Sequence, residues 1–288
     1  MSSNALHPWR YVTNAVGGSS RAIGLVRRVL TRLLYDYLAR NYRDAEWTTM
    51  NYGYAILPNE SNSPAVDRAL PEFLPLQLYA RLATAVANRK GALAGRDVLE
   101  VGSGRGGGAI YVAERFSPRR MVALDFSPVA TALALQLHAG SGAVEFVQGD
   151  AEDLPFQAAI FDVVLNVESA HCYGSLLRFL NNVHRVLRPG GVLAIADFVS
   201  RRNGALERLK ATLAQAPLQQ LEMEDITANV VAALEQDETR KRALLDRRVT
   251  GWFKSFAQGA YAMEGSPMRR ELVEGQTTYL LAVLRKAE

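Results

Sequence analysis

A glycine-rich stretch near the middle of the chain has the residue types and spacing of a loop that lies close to a ligand. Gly102, Gly104 and Gly107 form the pattern G-x-G-x-x-G directly after an apolar run at residues 97–101. Glycine tolerates positive φ angles and lets a ligand contact backbone amides. Asp125 follows about 20 residues later, where a carboxylate can accept both hydroxyl groups of a ribose. The pattern predicts an adenosine-like ligand, and it does not choose between a nicotinamide dinucleotide and S-adenosylmethionine.

One histidine has a position suited to proton transfer. His171 follows an apolar run at residues 161–166, whereas the other histidines lie in the N-terminal tail, near a helix end or on a helix. Imidazole titrates near neutral pH, which makes it the natural general base for a hydroxyl nucleophile. Asp197 ends a later apolar run and could orient that imidazole or accept a hydrogen bond from a substrate. The alternative interpretation is a histidine that only packs against or orients a neighbour.

The residues around His171 do not predict a second kind of chemistry. Cys172 is expected to be a small buried residue rather than a nucleophile. The spacing of His, Cys, Asp and Glu along the sequence is not typical of a metal site, so no metal ligand is predicted. A Mg²⁺ ion between Glu168 and Asp197 stays open as an alternative.

The elements that must position these residues alternate between short apolar runs and helical patterns. Runs typical of strands lie at residues 97–101, 120–125, 144–148, 161–166 and 191–197, and helical patterns lie at 76–88, 106–115, 128–138 and 176–186. Strands this apolar, separated by helices, predict a parallel sheet covered on both faces. Ligands of such sheets bind at the carboxyl ends of the strands, which is where Asp125, His171 and Asp197 fall.

Two further segments complete a family pattern. Gly149-Asp150-Ala151 follows the third apolar run, and an Arg-Pro-Gly-Gly turn at residues 188–191 precedes the fifth. With the glycine loop and Asp125, this set resembles the class I S-adenosylmethionine-dependent methyltransferases over residues 76–200. The resemblance implies an α/β fold with a Rossmann-like, seven-stranded, mostly parallel sheet and helices on both faces. It also implies S-adenosyl-L-methionine as the cofactor and S-adenosyl-L-homocysteine as the product.

The resemblance implies roles for individual residues. The glycine loop would lie under the methionine part of the cofactor, Asp125 would hold the ribose, and Asp150 would hold the adenine edge. Gln77 and Tyr79 could bind the carboxylate of the cofactor, the alternative being ordinary helix packing. The full set of implied cofactor-binding residues is Gln77, Tyr79, Glu100, Gly102, Ser103, Gly104, Asp125, Phe126, Ser127, Gly149, Asp150, Ala151, Asn166 and Val167.

Residues 166–173 and 50–54 resemble one subgroup of these enzymes. They are similar to segments of bacterial O-methyltransferases that act on phthiotriolone dimycocerosates and polyketides. The similarity implies methylation of a hydroxyl or enol of a polyketide or lipid-like secondary metabolite, with His171 and Asp197 as catalytic residues. The expected substrate residues are Tyr52, Tyr54, Glu168, His171, Trp252 and Phe256. C-methylation of a similar substrate, and a non-methylating cyclase or cofactor-binding protein on the same fold, stay open as alternatives.

Composition and charge exclude several other classes of protein. The chain has 288 residues, 33 Lys and Arg against 29 Asp and Glu, and one cysteine. One cysteine excludes a disulfide scaffold and favours the cytoplasm. No apolar run approaches the roughly 18 residues that cross a bilayer, so no integral membrane association is expected. The excess positive charge lies in residues 1–45, so no nucleic-acid-binding face is expected. The basic helix predicted at residues 23–38 is interpreted as a solvated face, with contact to an acidic or lipid-like surface as the alternative.

Four parts of the chain follow from these patterns. Residues 1–75 form a helical arm, 76–200 the cofactor-binding core, 201–265 a helical lid over the substrate pocket, and 266–288 the last strands of the sheet. In the last part, residues 277–284 are expected to pair with 269–273 as an antiparallel hairpin. Aromatic residues of the arm and lid predict an apolar pocket, so the expected partner is a hydrophobic small molecule. The expected assembly is a monomer or a homodimer.

Overall fold

One mixed sheet organises the part of the chain that the computed structural model describes. The described residues are 21–58, 60, 66–248 and 252–288, with only the backbone described at 21–27, 248, 252, 253, 255 and 256. The sheet has seven strands: β1 (Asp97–Val101), β2 (Arg120–Asp125), β3 (Glu145–Gln148), β4 (Phe161–Val167), β5 (Leu187–Ser200), β6 (Gln219–Asp225) and β7 (Thr277–Arg285). The strand order is β3-β2-β1-β4-β5-β7-β6, and β7 runs antiparallel to both of its neighbours. This order confirms the predicted Rossmann-like, mostly parallel sheet.

Helices connect the strands and cover the sheet. They are α1 (Arg21–Asn41), α2 (Phe73–Lys90), α3 (Gly107–Phe116), α4 (Pro128–Leu137), α5 (Leu176–Val186), α6 (Ala205–Gln215), α7 (Thr227–Arg248), α8 (Trp252–Ala260) and α9 (Pro267–Val273), with 3-10 turns at Ala170–Cys172 and Arg202–Gly204. One face of the sheet packs against Leu82 and Val86 of α2, and the other against Phe179 and Val183 of α5. The central strands are apolar on both sides because both faces are covered in this way.

The predicted ends of the first four strands match the observed ends closely. β1 and β2 have the predicted ends, and β3 and β4 differ from the predicted ends by one residue. β5 extends beyond its predicted range at both ends. Leu187 at its start pairs with Phe161 of β4, and the strand continues to Ser200 because it pairs with β7 from Val192 to Ser200. This pairing joins distant parts of the chain, so the local apolar pattern does not show it.

The predicted C-terminal hairpin is wrong. Residues 267–273 form the helix α9, which Ser266 caps by accepting a hydrogen bond from the Arg269 amide. Pro267 stands in the first turn, where its fixed φ favours a helix and its missing N–H costs nothing. β7 pairs instead with β5 on one side and β6 on the other.

The helical lid predicted at residues 201–265 also needs correction, because residues 219–225 form the edge strand β6. This strand pairs with β7 and carries a bulge between Gln220 and Glu222. The strand depends on the free edge that β7 offers, and its short sequence has no clear helical or strand period of its own. The segment 201–265 therefore completes the sheet as well as covering it.

Helix α1 lies over the carboxyl ends of the strands, next to α4. Ala39 of α1 packs against Ala130 and Leu133 of α4. Ser127, at the start of α4, donates a hydrogen bond to Asp36 of α1. Among the described residues, no helix is both long enough and apolar enough to span a membrane.

Candidate active site

The glycine loop between β1 and α3 is tied directly to the carboxylate at the end of β2. Asp125 accepts hydrogen bonds from the backbone amides of Gly104 and Ser127, both at 2.8 Å and one on each oxygen. Gly102 has a φ of 82°, and a Cβ at this position would lie 2.3 Å from Ser169 Oγ, so only glycine fits. Burial raises the pKa of Asp125, and the two amide donors oppose that rise.

A cavity lies over this loop at the carboxyl edge of the sheet, and its volume is about 930 Å³ when the space at its opening to solvent is included. It is within the size range of small-molecule sites. Nine of the fourteen residues predicted to bind the cofactor line it: Tyr79, Gly102, Ser103, Gly104, Asp125, Phe126, Asp150, Ala151 and Val167. Each oxygen of Asp125 has a second lone pair for a ribose hydroxyl. Because Asp125, the glycine backbone and Phe126 line one cavity, these residues fit the nucleoside part of S-adenosylmethionine.

The other five predicted cofactor residues lie behind the wall of this cavity: Gln77, Glu100, Ser127, Gly149 and Asn166. The Gln77 side chain accepts a hydrogen bond from the Val66 amide at 2.8 Å. Ser127 caps α4 by accepting a hydrogen bond from the Ala130 amide. Gly149 packs so tightly that a Cβ would lie 2.7 Å from Leu124 Cδ1. These residues support the site from behind, and Gln77 does not line the cavity.

Glu100 and Asn166 brace the floor of the cavity. Glu100 is fully buried and accepts a hydrogen bond from the Tyr79 hydroxyl at 2.7 Å. Burial raises the pKa of Glu100 to about 7. Asn166 donates a hydrogen bond to the Val101 carbonyl, which ties β4 to the start of the glycine loop. Their influence on a bound ligand is therefore exerted through the residues that they hold.

Two arginines of α1 belong to the site, so the interpretation of this helix as a solvated basic face is wrong for them. Arg28 forms an ion pair with Asp150 and a longer one with Glu152 at 3.4 Å. The guanidinium carbons of Arg28 and Arg32 lie 5.1 and 5.3 Å from the centre of the Phe126 ring. Both arginines therefore contact residues predicted to bind adenine.

The sequence contains a signal for this face of α1 that composition alone does not reveal. Arg28, Thr31, Arg32 and Tyr35 all line the cavity and follow the i, i+3, i+4, i+7 spacing of one helix face. Two of the four residues are arginines, and a charged residue is usually expected to point into solvent. The cavity-facing side of the helix is therefore hard to recognise in the sequence.

His171 and Asp197 are brought together as the sequence predicts. Asp197 Oδ1 lies 2.9 Å from His171 Nδ1, and Oδ2 accepts a hydrogen bond from the His171 backbone amide at 2.9 Å. The contact assigns the proton to Nδ1 and leaves Nε2 as an acceptor. Burial by itself lowers the pKa of His171, but the Asp197 carboxylate and Cys172 together outweigh burial and raise the pKa well above its ordinary value.

Glu168 is a second buried acid beside His171. It has a φ of 45°, and its carboxylate accepts hydrogen bonds from the Tyr52 amide at 2.7 Å and the Tyr279 hydroxyl at 2.8 Å. Burial raises the pKa of Glu168 to about 7, and these two donors limit the rise. No group of three or more His, Cys, Asp or Glu that could hold a metal ion is found within the described residues.

A second, more apolar cavity of about 540 Å³ adjoins the first. Tyr35, Met50 and Glu168 line both cavities, and His171 lines the second. The imidazole therefore lies on the wall of the second cavity, and Tyr35, Met50 and Glu168 lie where the two cavities meet.

The predicted substrate residues have mixed outcomes. Tyr52, Glu168 and His171 line the second cavity. Tyr54 does not: it is almost fully buried and donates a hydrogen bond to Glu60 at 2.8 Å. The side chains of Trp252 and Phe256 lie outside the described part of the chain. Tyr261, one of the lid aromatic residues expected to line an apolar pocket, also lines this cavity, as do Leu34 and Leu38, for which no role is predicted from the sequence.

Sequence comparison finds relatives over most of the chain. A family model described as "Methyltransferase domain" matches residues 99–195. The phthiotriol/phenolphthiotriol dimycocerosates methyltransferase of Mycobacterium tuberculosis is 34% identical over 260 residues, which is 88% of this chain and 91% of the relative. A fatty-acid O-methyltransferase of Mycolicibacterium smegmatis is 35% identical over 251 residues, which is 86% of each.

Structure comparison finds the same fold in proteins of low sequence identity. The geranyl diphosphate C-methyltransferase of Streptomyces coelicolor A3(2), solved with Mg²⁺, geranyl diphosphate and S-adenosyl-L-homocysteine, has a TM-score of 0.61 at 15% identity. The match covers 88% of this chain and 98% of that one. The [4+2]-cyclase SpnF has a TM-score of 0.61 at 23% identity and covers 96% of this chain and 98% of its own. At these identities the similarities show the fold alone.

Proposed function

Because the chain belongs to the family of S-adenosylmethionine-dependent methyltransferases that includes the phthiotriol/phenolphthiotriol dimycocerosates methyltransferases, we propose that it methylates a hydroxyl or enol oxygen of a lipid-like or polyketide acceptor. In this proposal His171 is the general base and Asp197 holds its imidazole. The observation that carries the proposal is the position of His171, held by Asp197, at the wall of an apolar cavity that adjoins the cofactor cavity. The fatty-acid O-methyltransferase among the relatives supports an oxygen as the methylated atom.

The cofactor supplies a methyl group that its sulfonium has already activated for displacement. The loop from Gly102 to Gly104 would hold its methionine part, and Asp125 would hold its ribose. Asp150 would accept a hydrogen bond from the adenine, for which it must give up or share its contact with Arg28. The protein's main contribution is alignment, which turns an encounter of two molecules into a reaction within one complex.

The second contribution is removal of the proton from the acceptor hydroxyl. Nε2 of His171 accepts this proton as the oxygen attacks, because Nδ1 is already engaged by Asp197. The Asp197 carboxylate then stabilises the imidazolium that forms. A positioned general base is worth about 10²–10⁴-fold in rate.

The second cavity supports an apolar acceptor. Leu34, Leu38 and Phe198 form apolar walls, and Ala257 of α8 closes the side that faces the lid. Charged groups occur where Glu168 and His171 reach the same space. An acceptor that suits this lining has an apolar body and presents a single hydroxyl or enol towards His171.

The test is transfer of labelled methyl from S-adenosylmethionine to a panel of hydroxy fatty acids and polyketide alcohols. Wild type, His171→Ala and His184→Ala are compared, because His184 lies on α5 and outside both cavities. We expect His171→Ala to lower the rate by at least about 100-fold and His184→Ala to leave it unchanged. A His171→Ala rate close to that of wild type would rule out the base.

A further inference from the structure

Helix α1 has two apolar faces, and the described residues of the protein cover only the inner face. Leu34, Tyr35 and Leu38 on the inner face line the second cavity. The outer face exposes Val29 by 50%, Leu30 by 57%, Leu33 by 59% and Tyr37 by 41%. Across the part of the chain that the structure describes, eight large apolar side chains are exposed, and half of them are these four.

The four outer residues form a continuous stripe. At about 100° per residue, Val29, Leu30, Leu33 and Tyr37 fall within an arc of about 100°, the width of the buried stripe of an amphipathic helix. Single exposed apolar residues are normal on a protein surface, whereas a contiguous patch of this kind marks an interaction site. The stripe therefore has the form of a surface that becomes buried against a partner.

The charges around the stripe define the chemistry of that partner. Arg40 and Arg43 are exposed on or next to α1. Residues 1–45 contain seven arginines and two aspartates, so they carry a net charge of +5, and the remainder of the chain is close to −1. A helix with an apolar stripe and flanking arginines suits a surface that is anionic outside and apolar inside, which is an anionic lipid bilayer.

A second copy of the chain is a poorer match for the same stripe. A twofold interface pairs the same patch on both subunits, so two arms that each carry +5 would face one another. The rest of the chain offers almost no opposite net charge to offset that repulsion. A bilayer supplies both the opposite charge and the apolar interior.

We infer that α1 docks the protein on the surface of an anionic bilayer, with Val29, Leu30, Leu33 and Tyr37 inserted and the arginines at the lipid headgroups. Because the inner face of the same helix lines the second cavity, docking places that cavity beside the membrane. The membrane would then be the source from which an apolar acceptor enters. The docking itself requires neither cofactor nor acceptor, so it stands apart from the proposed reaction.

The experiment is co-sedimentation of the full chain with vesicles of phosphatidylcholine and phosphatidylglycerol, and with vesicles of phosphatidylcholine alone. The test variant is Leu30→Ser/Leu33→Ser, and the matched control is Leu135→Ser, a leucine that is 52% exposed on α4. We expect wild type to bind the anionic vesicles, the double variant to bind at least about 30-fold more weakly, and Leu135→Ser to bind as wild type does. A second variant, Arg40→Glu/Arg43→Glu, should lose only the preference for anionic vesicles, by about fivefold per arginine or more.

Three results would overturn the inference. The first is wild-type binding that is absent or equal for the two vesicle types. The second is an equal loss in Leu30→Ser/Leu33→Ser and Leu135→Ser. The third is a wild-type protein that binds no vesicles and is a dimer in light scattering, together with a double variant that is a monomer. This result would assign the stripe to a second copy of the chain.

Discussion

Replacing Asp197 by asparagine removes the charge beside His171 and keeps a side chain of nearly the same shape. The carboxylate lies 2.9 Å from His171 Nδ1 and raises the pKa of His171, whereas burial lowers it. An opposite charge this close favours the charged form of its partner. We therefore expect the pKa of His171 to fall in Asp197→Asn, because burial, the largest remaining influence, lowers it.

The consequence for activity has a definite sign. The free imidazole is the active form, so kcat/KM of the wild type rises with pH through the elevated pKa of His171 and then reaches a plateau. In Asp197→Asn the rise moves to lower pH, and the plateau falls by about 100-fold or more because the imidazolium loses its counter-charge. The assay is the initial rate of methyl transfer from pH 5.5 to 9.5, with the exposed Asp246→Asn as control. A rise that stays at the same pH in Asp197→Asn would refute the coupling between the two residues.

Three further predictions concern other parts of the site. Burial raises the pKa of Glu168 to about 7 from an ordinary value of 4.5, so its contribution to stability is full below pH 4.5 and is lost as the pH rises through 7. In urea unfolding, the free energy of unfolding of Glu168→Gln should therefore increase relative to that of wild type by up to about 3 kcal/mol between pH 4.5 and 8. Plots of this free energy against pH that stay parallel for the two proteins would contradict the prediction. Gly102→Ala should lose about 1–3 kcal/mol of stability and bind the cofactor poorly, because position 102 has a φ of 82° and the new Cβ would lie 2.3 Å from Ser169. Gly140→Ala should do neither, because no atom lies within 4 Å of a Cβ at that position. Arg28→Gln frees Asp150 from a partly exposed ion pair. Calorimetry should therefore show that the variant binds the cofactor up to about fivefold more tightly than wild type does. Weaker binding would mean that Arg28 itself contacts the cofactor.

The parts of the site that the sequence predicts are those fixed by short-range rules. The turn after β1 needs glycine at Gly102, and the carboxyl ends of parallel strands meet at one edge, so Asp125, His171 and Asp197 could be assigned to a common region. Tyr79 and Gln77 show the limit of such reasoning. Residues two apart on a helix point in nearly opposite directions, so when Tyr79 faces the cavity Gln77 faces Val66.

The features that the sequence does not predict depend on distant partners. β6 exists because β7 offers it an edge, and the sequence QQLEMED has no strong local preference. Arg28 and Arg32 face inwards because Asp150, Glu152 and Phe126 are there to receive them. These partners lie about a hundred residues further along the chain, so only the folded structure brings them together with the helix. The start of α9 is the exception, because the Ser-Pro pair at residues 266–267 is a local helix signal, whereas the hairpin is expected only because it is typical of this fold.

The identity of the methylated atom tests the central claim most directly. S-adenosylmethionine labelled with ¹³C in its methyl group would be incubated with the wild-type protein and the best acceptor of the panel, and the product examined by carbon NMR. A labelled methyl carbon bonded to oxygen, formed at least about 100-fold more slowly by His171→Ala, is the expected result. A labelled carbon bonded to carbon would contradict O-methylation and make this protein a C-methyltransferase.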